Sequence, residues 1–283
     1  MALAGVLPAV AACGQALVTV DWIEKRRADP NLVIVDARPQ SEYNAGHLPG
    51  AIWLNTYDHL VDSSPVGERA FHDWLTESFG RAGLGTKDTI VVYEDKLGAR
   101  AARAFWMFWY AGQPRVAMLE GGLEAWRGRS LPLSTEPPPP RAPTRYKLQP
   151  QRKWVATAQQ VAAPDRRTVI LDVRARQEYE GTGGASDCAR QGRIPGAVWL
   201  EWSEFLSPDG STLQAPEKLG MLLLEKGITP DKQIITYCHR GARAALVWAA
   251  LDQLGYPKVR NYIGSWHDWA GKALPAQGAA STP

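Results

Sequence analysis

The chain has 283 residues, 45% of them apolar and 22% charged, with a net charge of +3. That length is comfortable for two domains, and the composition is that of an ordinary soluble globular protein. With no lysine–arginine block, no aromatic-interleaved basic stripe and no membrane-length apolar run, neither nucleic-acid nor membrane binding finds support.

Met1 to Ala12 is small and apolar, and Val10-Ala11-Ala12-Cys13-Gly14 resembles a lipoprotein cleavage box. It lacks a basic lead and is broken by Pro8. The expectation is therefore a cytoplasmic protein, the alternative a periplasmic or lipid-anchored one if Cys13 is a lipoprotein site. Three cysteines, Cys13, Cys188 and Cys238, make no disulfide framework in a chain this long, and a reducing compartment fits them better.

From here the chain is written twice. Leu32-Val33-Ile34-Val35-Asp36-Ala37-Arg38, Glu42-Tyr43 and Gly46-His47-Leu48-Pro49-Gly50-Ala51-Ile52-Trp53-Leu54 follow one another in the first half. Val169-Ile170-Leu171-Asp172-Val173-Arg174, Glu178-Tyr179 and Gly192-Arg193-Ile194-Pro195-Gly196-Ala197-Val198-Trp199-Leu200 answer them in the second. Gly83–Asp88 is matched by Gly227–Asp231, and Gly121–Trp126 by Gly264–Trp269. Between the copies lie Pro137 to Pro140, four prolines that favour extended polyproline II and so read as a semi-rigid linker. The expected organisation is a first domain over 15–135, a linker over 136–145 and a second domain over 146–277.

Second-half strands are predicted at Thr168–Asp172, Ala197–Leu200, Gln233–Tyr237 and Val259–Tyr262, and helices at Pro216–Lys226, Ala242–Leu254 and Ser265–Lys272. Continuous apolar strands alternating with helices predict an α/β fold, each copy a mainly parallel sheet with helices on both faces. Ligands of such sheets sit beyond the carboxyl ends of the strands.

At one of those ends stands Cys238-His239-Arg240-Gly241-Ala242-Arg243. A cysteine between a buried strand and a helix N-terminus, with a histidine and two arginines within five residues, is built to be a thiolate. Consecutive loop N–H groups would make a concave anion site around its sulfur. Cys13 and Cys188 lack such neighbours and read as incidental.

Together these motifs resemble the tandem-domain sulfurtransferases of the rhodanese family, over about Val18 to Ala273. The resemblance implies two tandem rhodanese-like domains, the second carrying the catalytic cysteine and the first lacking it. Here Tyr93-Glu94 stands where the second copy has Tyr237-Cys238, in a loop one residue longer. Without a thiol the first copy cannot form a persulfide, and it is expected to supply one wall of the cleft. Cys238 is expected to take a sulfane sulfur as a persulfide and surrender it, in two half-reactions. No metal or cofactor enters that chemistry.

His239 and Arg240 are placed to draw in an anionic donor, with Gly241 and Ala242 completing the loop; His239 by itself also suits a solvated loop position. In the family a basic loop goes with thiosulfate, whereas 3-mercaptopyruvate enzymes carry small uncharged residues after the cysteine. The acceptor would be cyanide or a thiol, a thioredoxin-like protein among them, or the protein would relay persulfide to another protein. A donor-binding arginine of animal-type members is replaced here by Glu178; the alternatives for Arg190 and Arg193 are substitute donor contacts or solvated surface residues. Arg243 could point into the cup or brace the loop from behind against Asp172 or Glu178, the second being favoured. A cysteine phosphatase is the nearest other class. It needs five residues between cysteine and arginine, where this loop has four, 239 to 242.

Overall fold

The structure, a computed structural model, describes residues 16–184 and 187–278. Cys13 and the cleavage-box reading lie outside them.

In the first copy, strands β1 (Leu17–Val18), β2 (Leu32–Asp36), β3 (Ile52–Trp53), β4 (Thr89–Tyr93) and β5 (Val116–Leu119) alternate with helices α1 (Val20–Glu24), α2 (Gln40–Ala45), α3 (Pro65–Arg81), α4 (Ala99–Tyr110) and α5 (Gly122–Gly128). The second copy contains α6 (Ala158–Ala162), β6 (Thr168–Asp172), α7 (Arg176–Glu180), β7 (Val198–Trp199), α8 (Pro216–Glu225), β8 (Gln233–Tyr237), α9 (Ala242–Gln253), β9 (Val259–Asn261) and α10 (Ser265–Ala270). Both sheets are parallel among these strands, ordered β1-β5-β4-β2-β3 and β7-β6-β8-β9. The predicted second-half elements agree with the structure to within two residues at their ends. Val155 pairs with Asn261 in a single parallel bridge, the second copy's remnant of the β1–β5 pairing.

Pleating divides the central strands between two layers. Val33, Val35, Ile90 and Val92 face α3 and α4, while Ile34, Val91 and Tyr93 face α1 and α5. The second sheet turns Leu171 and Ile234 toward α9, and Ile170, Ile235 and Tyr237 toward α6 and α10. The inner layers of the two copies form one core, with α4 packed along α9. Ten residues of α9, Ala242 and Ala244 through Asp252, are buried, so this helix has almost no solvent face. Alanines at 244, 245, 249 and 250 permit that close approach.

The proline segment lines a surface groove beside Tyr43, Ile52 and Trp53 of the first domain. The chain then continues along that domain: Arg141 pairs with Asp88 at 2.8 Å, Tyr146 packs edge-on against Phe79, and the Gln151 amide donates to the Tyr110 carbonyl at 2.8 Å. Residues 146–151 thus pack on the first domain even though sequence places them after the linker. Among the described residues no helix is long and apolar enough to cross a membrane.

Candidate active site

The repeated Asp-x-Arg motif builds a buried clasp in both copies. Arg174 binds Asp172 at 2.6 Å and the Gly192 carbonyl at 2.9 Å, while the Tyr237 hydroxyl donates to Asp172 and accepts from the Ile194 amide at 3.2 Å. Arg38, Asp36, Gly46, Tyr93 and Leu48 repeat each of these contacts. The clasp ties the Gly-x-x-Pro turn to the strand that leads into the loop. Present with or without a thiol, it is architecture, and it uses Asp172 entirely within the fold.

β8 delivers Cys238 to the shared interior, where it is 1% exposed. The Gly241 amide donates to its sulfur at 3.1 Å, and its own amide donates to Ser265 Oγ at 3.1 Å. Amides of Trp266 and His267 donate to the carbonyls of Cys238 and His239, both at 2.9 Å, so the start of α10 braces the loop from one side. Gly241 has φ +86°, and a Cβ there would stand 2.3 Å from the Ile263 carbonyl oxygen. No other residue type fits that turn. Ala242 opens α9, directing the helix's unpaired N–H end toward the sulfur.

Arg243 binds Glu178 with both terminal nitrogens, at 2.6 and 2.9 Å. Against burial, which lowers it, the hydrogen bond to Glu178 and the nearby Cys238 and Glu178 charges raise the arginine's pKa further. Arg243 therefore both braces the loop and faces the thiol. Arg240 and His239 lie at the mouth. The guanidinium of Arg240 holds Asp187, and His239 Nε2 is 3.0 Å from the same carboxylate but out of hydrogen-bond alignment. Among the described residues, His239 Nε2 and Arg240 Nε are buried donors without a hydrogen-bond partner. Burial holds the His239 imidazole below its ordinary range, with Asp187 opposing and Arg240 adding to the effect. Arg240 carries the fixed charge at the mouth.

Arg190 and Arg193, expected as substitute donor contacts, are engaged elsewhere. Arg190 spends its guanidinium on the carbonyls of Trp269, Ala270, Lys272 and Leu274, capping the chain after α10. Arg193 lies over the Tyr179 ring at 4.4 Å and donates to the Tyr179 carbonyl at 3.2 Å. The backbone acceptors of the segment after α10 outcompete solvent for Arg190, and the Tyr179 carbonyl of α7 does so for Arg193. Cys188, read as incidental, instead stands at the mouth. Its sulfur, a His239 ring nitrogen and an Asp187 oxygen all lie within 4.8 Å of one another, a donor set of the kind transition ions use, although Arg240 already holds Asp187. Burial and Asp187 push the Cys188 thiol up to about 11, which makes it a poor nucleophile beside Cys238.

Sequence reading also missed Arg103. This α4 residue of the first domain is fully buried, donating to the carbonyls of Thr56 at 2.9 Å, of His59 and of Arg240. The signal was available by aligning the copies: Arg100-Ala101-Ala102-Arg103 stands against Arg243-Ala244-Ala245-Leu246. A cation where the other copy has a core leucine is anomalous. The first-domain wall continues through Ser63, which donates to Asp268 at 2.6 Å.

The first-domain loop shows what such a cup holds. Glu94 Oε1 accepts from the amides of Arg100 and Ala101 at 2.9 and 3.0 Å, so the side chain fills its own anion site. Burial drives this carboxyl up to about 7, against those amides and Arg100, which lower it. A raised acid pKa means the native state keeps its proton longer, so stability falls as pH rises from about 4.5 to 7. Glu94→Gln should remove that slope, gaining on the order of 2 kcal/mol over wild type at pH 8 but little at pH 4.5 once partial exposure is allowed for. Urea unfolding at the two pH values checks this, and parallel curves for the two proteins would refute it.

Comparison with known proteins follows this geometry. The rhodanese-like domain model matches residues 19–129 and again 155–272. The chain is 34% identical over 251 residues to a thiosulfate sulfurtransferase of Azotobacter vinelandii, covering 87% of this chain and 91% of that one. It is 33% identical over 273 residues to the sulfur carrier protein TtuD of Thermus thermophilus, covering 90% and 93%. A crystal structure of a probable thiosulfate sulfurtransferase superposes with a TM-score of 0.69 at 32% identity, covering 87% and 97%. An anaerobic ergothioneine biosynthesis enzyme from Chlorobium limicola shares the fold, with a TM-score of 0.82 at 21% identity, covering 94% of this chain and 70% of that one. Relatives of this extent support sulfurtransferase activity as the class. With its domain found twice and most of its length matched, the chain belongs to the rhodanese family.

Proposed function

We propose that the protein moves a sulfane sulfur from thiosulfate, through a persulfide on Cys238, to cyanide or a thiol acceptor. The observation that carries this reading is the setting of Cys238: a buried sulfur that accepts the Gly241 amide, faces Arg243, and begins a loop whose His239 Nε2 and Arg240 Nε are left without hydrogen-bond partners. The thiolate attacks the outer sulfur of thiosulfate, a new S–S bond forms, and sulfite leaves with the electron pair of the broken bond. No proton or oxidant is needed. The acceptor's nucleophile then takes the outer sulfur, and the thiolate returns. Loop amides and the α9 N-terminus serve both anionic states. In the free protein Asp187 sits on Arg240 as the donor would, and the donor must displace it.

Thiosulfate is favoured over 3-mercaptopyruvate because the mouth offers Arg240 rather than small neutral groups. Similarity to the sulfur carrier protein TtuD of Thermus thermophilus favours a second reading, delivery to a protein acceptor, which uses the same loop. The test is a side-by-side steady-state comparison of the two donors in wild type and in His239→Ala/Arg240→Ala. Thiosulfate kcat/KM should fall by about tenfold or more per lost charge-assisted contact, Arg240 contributing the larger share, while 3-mercaptopyruvate turnover changes far less. Unchanged thiosulfate kinetics in the double variant would end the electrostatic account of donor choice.

A further inference from the structure

We propose that Arg103, supplied by the domain without a thiol, is the buried counter-cation of the sulfur anion on Cys238 and positions the loop that carries it. This rests on Cys238 working as thiolate and persulfide, as proposed above.

Geometry carries the inference. Arg103 has no exposed surface and makes no salt bridge among the described residues; its three contacts are all backbone carbonyls. A guanidinium buried among neutral acceptors is costly unless an anion shares its low-dielectric surroundings. One of the three carbonyls belongs to Arg240, two residues past Cys238 in the reactive loop. The groups that couple to Arg103 electrostatically are Cys238 first, then Tyr57, Arg240 and Asp58. Around the thiol itself stand Arg243 on α9, paired with Glu178, and Arg240 and His239 at the mouth, facing Asp187. Glu178 and Asp187 therefore offset two of the three arginine charges near the sulfur. Arg103 forms no salt bridge among the described residues, Asp58 being the carboxylate that acts on it from beyond contact, and burial lowers its pKa only to about 10, so it stays charged at neutral pH.

Arg103 is accordingly a positioning residue that acts through the Arg240 carbonyl and through its field. During transfer the negative charge moves outward by one sulfur atom, from Sγ to the terminal persulfide sulfur, as sulfite departs. A fixed cation behind the loop serves both positions without moving. At the matching position of α9 the second domain carries Leu246, which has no charge to offer.

The test measures iodoacetamide alkylation of Cys238 against pH in wild type, Arg103→Met and Arg103→Lys, with melting temperature recorded for each. Alkylation at neutral pH should slow by about tenfold in Arg103→Met and its inflection move to higher pH, since one unit corresponds to tenfold in thiolate population. Arg103→Lys keeps the charge but cannot reach three carbonyls. It should restore most of the alkylation rate while melting as low as the methionine variant. Raising salt should leave the Arg103 effect intact, because the group is buried, while eroding that of Arg240→Ala. Equal alkylation profiles in all three proteins would overturn the proposal, as would a lysine variant no faster than the methionine one. Should Arg103→Met not fold, Arg103→Gln takes its place, keeping hydrogen-bond donors without the charge: slower alkylation than in Arg103→Lys supports the charge role, and equal rates in the two variants refute it. Alkylation needs no sulfur donor, so absence of a persulfide after thiosulfate treatment would fail the transfer reading separately.

Discussion

Cys238→Ser is expected to abolish sulfur transfer, with kcat falling by roughly 10³-fold or more, as loss of a covalent nucleophile does elsewhere. Serine keeps the shape and the Gly241 contact but cannot hold a sulfane sulfur. In wild type, thiosulfate should add about 32 Da, one sulfur, to the peptide containing Cys238 and to no other. The raised thiol of Cys188 and the occupation of the first-domain cup by Glu94 both argue for a single site. Intact-mass and peptide mapping after donor treatment read this directly. Equal labelling of Cys188 or Cys13, or full activity in the serine variant, would sink the persulfide assignment.

Arg243→Met should damage stability and turnover together. It removes both contacts to Glu178 and leaves a largely buried carboxylate unpaired, which typically costs ~3–5 kcal/mol for a fully buried pair. With the two side chains 21% and 11% exposed, about 2–4 kcal/mol is the expected loss. Because the same guanidinium faces the thiol, thiosulfate kcat/KM should drop by at least about tenfold as well. Adding Glu178→Gln to the variant should recover stability without recovering turnover, a coupling that a double-mutant cycle by urea unfolding measures. If melting were untouched in Arg243→Met, the bracing role would fall and only the contact to sulfur would remain.

The duplicated architecture is legible in the sequence because its determinants are local. Apolar β-branched runs such as Gln233–Tyr237, a glycine that must take φ +86°, and a cysteine followed by cations before a helix are all read within a few residues. What was missed depends on distance in the chain. Arg103 reaches Arg240 across 137 positions and Asp187 reaches it across 53, and no spacing rule signals either. The same holds for Arg190, whose carbonyl partners lie about 80 residues on, whereas Arg193 is held by Tyr179, 14 residues before it. The choice between Asp172 and Glu178 as partner of Arg243 was open in one dimension. It closes once Arg174 and Tyr237 are seen to occupy Asp172.

The packing of α4 along α9 also bears on how such a duplication persists. Once the two copies share a core, a copy without a thiol is not expendable, because its helix α4 covers a large part of α9. Deleting it would open the α4-facing side of α9, now sealed, to water. The first copy's interior therefore supports the second copy's site whatever its own loop carries, and that loop holds Glu94 where the other has its cysteine. Redundancy in chemistry has become dependence in folding.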